Sequence, residues 1–94
     1  TTKVKGMFVH PSQVAEVLRR HPQVMKGRLI VDREGHADVM TLHCEVAGNG
    51  TPAQAQVIAA SLREVCKLRG NVAFVGPGAL PNDGKVIDDI RKYD

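Results

Sequence analysis

The chain has 94 residues, the length of one domain. Hydrophobic residues make up 43% and charged residues 24% of it, close to the average for a soluble globular protein. No apolar run approaches the ~20 residues that a membrane-spanning helix needs, and no signal-peptide pattern opens the chain, so we predict no membrane partner. The net charge of +3 comes from scattered pairs of basic residues, and only three residues are aromatic. Because a nucleic-acid-binding sheet needs aromatic stacking platforms, nucleic acid is a disfavoured partner.

The cysteines and histidines show no metal-ligand spacing. Cys44 and Cys66 form no CxxC pair, and the four histidines form no HxxxH pair, so no metal site is predicted. Each cysteine lies on an apolar face of a predicted element, which is typical of a buried thiol in a reducing compartment. The predicted localisation is therefore the cytoplasm.

The predicted elements begin with a strand and a helix. The apolar segment from Val4 to Val9 predicts an entering strand, which Gly6 interrupts. A helix opens at Pro11, carries apolar residues at helical spacing, and ends before Pro22.

A β-hairpin is predicted next. Its first strand contains residues 29–31, its turn residues 32–36, and its second strand residues 39–46. The second strand alternates strictly, and four apolar side chains share one of its faces: Met40, Leu42, Cys44 and Val46. This alternation predicts a sheet with one buried face.

A second helix and a last strand complete the predicted set. Thr51 and Gln54 have the spacing of a capping box around Pro52, a favourable first helical residue. Gly70 suits the position after the helix C-cap, and residues 72–75 form the last strand. The order is βαββαβ, so we predict an α+β, ferredoxin-like fold in which two helices pack on one face of an antiparallel sheet. This fold supports many unrelated functions.

The segment after the last strand is the candidate site. Residues 76–85 are rich in glycine and proline, which fix the backbone, and end on Lys85. The segment is not a phosphate-binding P-loop, because five residues separate Gly78 from Gly84 and Val86 stands where that motif has Ser or Thr. From these residues alone, a solvated turn lysine is the favoured interpretation of Lys85. Asp83 is predicted to form the turn rather than to act as a catalytic acid.

Two stretches resemble one known family. Residues 75–89, which read VGPGALPNDGKVIDD, resemble the C-terminal lysine motif of adenylate-forming acyl-CoA ligases, in particular the phenylacetate-CoA ligase branch. Residues 3–14, which read KVKGMFVHPSQV, resemble the segment just after that family's interdomain hinge. The similarity continues through residues 32–35 and 38–42 and covers essentially the whole chain.

The resemblance implies a role for each part of the chain. Residues 1–94 would be one C-terminal lid domain, which closes over a larger N-terminal adenylation domain that binds ATP and a small carboxylic acid. Lys85 would reach the carboxylate and the α-phosphate during adenylation, on a loop shaped by Gly84 and Pro81. Gly6 and Met7 would line the entry path of CoA. The full-length enzyme would need ATP, Mg²⁺ and CoA, none held tightly by this domain alone, and the domain alone would be inactive.

Two other hypotheses stay open. A free-standing βαββαβ regulatory domain could dimerise through its sheet and bind a small ligand, and a third possibility is an RNA-binding sheet with strongly salt-dependent affinity. The chain begins with Thr rather than Met, and the resemblance places the hinge just upstream, so we expect a piece of a larger ligase. A long upstream reading frame would favour the ligase, whereas start and stop codons at the ends of this chain would favour the free-standing domain.

Overall fold

The computed structural model describes residues 2–91, which fold into two helices, a four-stranded sheet and a separate hairpin. The elements are β1 (Thr2–Val4), β2 (Met7–Val9), α1 (Pro11–Arg19), β3 (Lys26–Glu34), β4 (Ala37–Glu45), α2 (Pro52–Cys66), β5 (Asn71–Val75) and β6 (Ile87–Asp89). The predicted α+β class is confirmed and is consistent with a ferredoxin-like fold, and both helices and the β3–β4 hairpin are confirmed.

The sheet is mixed, which corrects the prediction of an antiparallel sheet. Its strand order is β5-β4-β3-β6; β3 and β4 are antiparallel, whereas β5 runs parallel to β4 and β6 runs parallel to β3. The β4–β5 pair is parallel because α2 crosses back between the two strands. In a ferredoxin-like order the first strand would lie between them, but residues 2–9 pair with themselves as the β1–β2 hairpin. As a result β5 pairs directly with β4.

The predicted N-terminal end of α2 is confirmed, and its predicted C-terminal end is wrong. The N–H of Gln54 donates to Thr51 Oγ1 and the N–H of Thr51 donates to Gln54 Oε1, both at 3.2 Å, so the capping box is confirmed. The C-terminal end was predicted too late. The helix ends at Cys66, and its C-cap is Lys67 in the left-handed conformation (φ 61°), whereas the sequence placed Gly70 just after the C-cap.

The core lies between the helices and one face of the sheet. It contains fully buried side chains of both helices, of β3 and β4, and of the hairpin, among them Leu29, Leu42, Ile58, Leu62 and Val4. Cys44 and Cys66 lie in this core as free thiols, as predicted, and burial raises the pKa of Cys44 to about 11. Over residues 2–91, no helix has the length and apolar character needed to span a membrane.

Candidate functional site

The candidate site is the connection between β5 and β6, residues 76–86, which we call the lysine loop. It lies against the sheet face opposite the helices, where Arg28 and Glu45 contact it. Lys85 stands just before β6, whose Ile87 pairs with Leu29 of β3. The sequence placed Lys85 at the tip of a free turn; the strand that follows it was missed. The signal was present in the apolar pair Val86-Ile87, which packs against the core.

Glu45 holds the first half of the lysine loop. This last residue of β4 is only 5% exposed, and its two carboxylate oxygens each accept a backbone hydrogen bond. The N–H of Gly78 donates to Oε1 at 2.9 Å, and the N–H of Leu80 donates to Oε2 at 3.0 Å. The bond from Gly78 is the main cause that lowers the pKa of Glu45, so the side chain stays an ionised acceptor.

Arg28 holds the second half of the loop. It is 3% exposed on β3 and donates through Nη2 to the carbonyl oxygen of Pro81 at 3.1 Å and to the carboxylate of Asp83. Its Nη1 lies 3.8 Å from Asp88 Oδ2. Lys26, two residues before Arg28 on β3, donates from Nζ to the same Pro81 oxygen at 2.6 Å. Pro81, predicted to shape the loop, is therefore the point at which two cations hold it.

Asp83 connects this anchor to the lysine. Its Oδ1 accepts both the guanidinium of Arg28 and, at 3.0 Å, the backbone N–H of Lys85. The hydrogen bond from Lys85 is the main cause of the lowered pKa of Asp83, and the contact with Arg28 adds to it. Between them Gly84 takes φ +77°, a conformation that favours glycine. Asp83 is thus a turn former, as predicted.

The side chain of Lys85 is exposed and available. Among residues 2–91, no hydrogen bond or ion pair holds its ammonium group, although the backbone N–H beside it is fixed. The arrangement presents a single mobile positive charge from an anchored base, which suits contact with an anionic group that is not part of this domain.

Gly6 and Met7 lie on a different surface. Gly6 lies in the two-residue turn of the β1–β2 hairpin, where Lys5 (φ 48°) and Gly6 (φ 80°) both have positive φ, and Met7 is the first residue of β2. The N–H of Lys5 donates to Asp38 Oδ2 at 2.9 Å, near the start of β4. Glu45 anchors the lysine loop seven residues further along β4, about 24 Å away at 3.4 Å per residue. The structure therefore brings Pro81, Gly84 and Lys85 together and keeps Gly6 and Met7 apart from them.

Sequence reasoning missed the two buried residues that hold the loop, Arg28 and Glu45. The alternation of residues 39–46 placed Glu45 on the non-core face, and Arg28 was counted among the scattered basic residues. In the structure they are buried by a segment that follows them by more than 30 residues. For metal binding, no group of three or more His, Cys, Asp or Glu side chains lies suitably together within residues 2–91.

The comparison with family models identifies the class of domain. Residues 6–90 match the model described as the AMP-binding enzyme C-terminal domain. Since this match spans most of the chain, the protein belongs to the family of AMP-binding enzyme C-terminal domains. Comparison with curated protein sequences finds no match.

Solved structures share the fold. A domain of phenylacetate-coenzyme A ligase from Bacteroides vulgatus ATCC 8482 superposes with a TM-score of 0.85 at 22% identity, over 99% of this chain and 94% of that one. A 2-hydroxyisobutyryl-CoA ligase in complex with 2-HIB-AMP and CoA, in its thioesterification state, gives a TM-score of 0.80 at 18% identity. The same ligase in a postadenylation state gives 0.72 at 18% identity. These two matches cover 96% and 94% of this chain but only 21% of the ligase chain.

Proposed function

We propose that this chain is the C-terminal lid domain of an ATP-dependent carboxylic acid–CoA ligase whose substrate is phenylacetate or a related aryl acid. In this proposal a larger N-terminal adenylation domain of the same protein binds the acid, ATP and Mg²⁺, and CoA joins in the second step. The family match supports the general class, and the names of the structurally similar ligases support the choice of a CoA ligase. The two buried, free thiols support a cytoplasmic location.

The observation that carries the proposal is the pairing of a free ammonium with an anchored backbone at Lys85. As a carboxylate attacks the α-phosphate, negative charge builds on the phosphate oxygens. A flexible ammonium can neutralise this charge without the fixed fork that a guanidinium would impose. Lys85 would thus lower the barrier of adenylation and contribute nothing to the later attack by the thiol.

The separation of the β1–β2 turn from the lysine loop supports a division of labour. Gly6 has no side chain, and no atom lies within 4 Å of the position that a Cβ would occupy. With Met7 half-exposed beside it, the turn can lie along the path of a pantetheine arm. In this proposal the domain presents Lys85 for the first step and the turn for the second.

The experiment is Lys85→Ala in the full-length protein, with the two half-reactions measured separately. Acid-dependent exchange of pyrophosphate into ATP reports adenylation, and thioester release from supplied acyl-adenylate reports the second step. We expect adenylation to fall by about 10²–10³-fold, the usual effect of losing one group that stabilises a developing charge. Thioester formation should stay within about twofold of the unmodified enzyme, because Lys85 makes no contact in that step.

The matched control is Arg63→Ala, which also removes one exposed positive charge, from α2. It should leave both half-reactions unchanged. Equal loss of both steps in Lys85→Ala, or loss of neither, contradicts the proposed role. Absence of any acid-dependent exchange in the unmodified full-length protein contradicts the ligase itself.

A further inference from the structure

We propose that Arg28 is a positioning residue for Lys85, acting through Asp83, and that Arg28 and Glu45 together form a clamp that holds the lysine loop on the sheet. This inference rests on the proposed function of Lys85 for its kinetic consequence, but its structural part stands alone.

The first argument is the burial of two opposite charges against one loop. Charged side chains are almost never buried unless they are paired, yet Arg28 and Glu45 are 3% and 5% exposed. Both carboxylate oxygens of Glu45 accept hydrogen bonds from backbone N–H groups of the loop. Arg28 donates to a loop carbonyl and to a loop carboxylate. Both are therefore directed at the lysine loop.

The second argument is that Arg28 is poorly suited to a purely stabilising role. Its Nε is buried and, among the residues described, finds no hydrogen-bond partner. A buried ion pair often contributes no more stability than apolar residues of the same volume. An incompletely satisfied guanidinium at this place is better explained by the geometry that it imposes on the loop.

The third argument is the short path from Arg28 to the lysine. One oxygen of Asp83 accepts from Arg28 and from the N–H of Lys85. Any shift of the Asp83 carboxylate therefore moves the residue from which the ammonium extends. Misplacement of a catalytic group by about 1 Å can cost on the order of 10²-fold in rate.

The decisive variant is Arg28→Met, which removes the guanidinium but retains a long unbranched apolar side chain. We expect the midpoint of thermal unfolding to change little, because the variant replaces the buried member of the pair with an apolar group and leaves Asp83, 42% exposed, in contact with solvent. At the same time adenylation by the full-length protein should fall by about 10- to 100-fold, with thioester formation unaffected. A residue with a purely structural role would not combine retained stability with the loss of one half-reaction. Arg63→Met is the matched control and should alter neither quantity.

Coupling and rescue test the path through Asp83. In a Lys85→Ala background, Arg28→Met should produce no further loss of adenylation, because the group that it positions is gone. Asp83→Asn keeps an oxygen for the N–H of Lys85 and should retain more adenylation than Asp83→Ala. Asp83 has a side chain 42% exposed, so its replacement leaves the core intact and tests the path even if the Arg28 variant does not fold.

A structural readout separates this inference from the proposed function. Backbone ¹⁵N order parameters of residues 82–85 should fall in Arg28→Met and in Asp83→Ala but not in the Arg63→Met control. If Lys85→Ala leaves adenylation intact, the proposed function fails while the order parameters still test the clamp. The positioning role is overturned if the order parameters are unchanged in both Arg28→Met and Asp83→Ala. It is also overturned if the losses of adenylation caused by Arg28→Met and Lys85→Ala are additive.

Discussion

A single methyl group at Gly84 should separate backbone strain from every other effect in the lysine loop. Gly84 has φ +77°, and no atom lies within 4 Å of the position that a Cβ would take. Gly84→Ala therefore introduces no steric clash with the rest of the protein. Its cost is the backbone preference alone, about 1–2 kcal/mol for a non-glycine residue in the left-handed region.

That cost translates into a population of loop conformations. An energy of about 1–2 kcal/mol lowers the ratio of the native loop conformation to relaxed alternatives by about 5- to 30-fold. Since Lys85 is the next residue, we expect adenylation by the full-length protein to fall by up to about 30-fold. Global stability should change little, because the loop can relax without disturbing the core. Thioester formation from supplied acyl-adenylate should be unaffected.

The matched control is Gly76→Ala in the same loop. Gly76 also has no atom within 4 Å of its virtual Cβ, but its φ is not in the left-handed region. This variant should leave adenylation within about twofold and stabilise the fold slightly, if at all, by restricting the unfolded chain. The reasoning is refuted if both alanine variants have the same adenylation rate. It is also refuted if Gly84→Ala lowers the free energy of unfolding by as much as it raises the activation free energy of adenylation.

Two further predictions concern the fold. Gly50→Ala should destabilise the domain by about 1–3 kcal/mol in urea unfolding, because its Cβ would overlap the ring of Phe74. Gly48→Ala, whose Cβ would have no atom within 4 Å, should be nearly neutral. Equal losses of stability in the two variants would contradict the packing. Native Cys44 and Cys66 should resist Ellman's reagent at pH 8 and react fully in urea, since burial shields both thiols and raises both pKa values, that of Cys44 to about 11; rapid native reaction would contradict their burial.

Local patterns in the sequence were enough to predict the helices and the central hairpin. The alternation at Met40, Leu42 and Cys44 predicted a buried strand face, and all three are fully buried. The spacing of Thr51 and Gln54 predicted a capping box, whose two hydrogen bonds are present. Such features depend on neighbours within a few residues, so the sequence displays them directly.

Features that depend on distant segments were not predicted. β6 is only three residues long and becomes a strand because β3 offers it an open edge. Glu45 was assigned to the solvent side because alternation describes only its own strand, and Arg28 lay outside the predicted strand of residues 29–31. Their burial is created by the lysine loop, which reaches back from the far side of α2 and β5. For the candidate site, the lysine itself could be named from a motif, but the groups that position it could not.

The clamp also constrains how Lys85, the proposed adenylation lysine, can move relative to a substrate. The lysine loop is held at Gly78 and Leu80 by Glu45 and at Pro81 and Asp83 by Arg28. For the loop to swing outward alone, Glu45 would lose both loop amides and Arg28 would keep, among residues 2–91, only Asp88, at 3.8 Å, and an uncompensated buried charge is strongly unfavourable. Motion of the whole domain breaks none of these contacts. If Lys85 serves one step and the β1–β2 turn serves another, rotation of the domain as a rigid body is therefore the less costly way to exchange them.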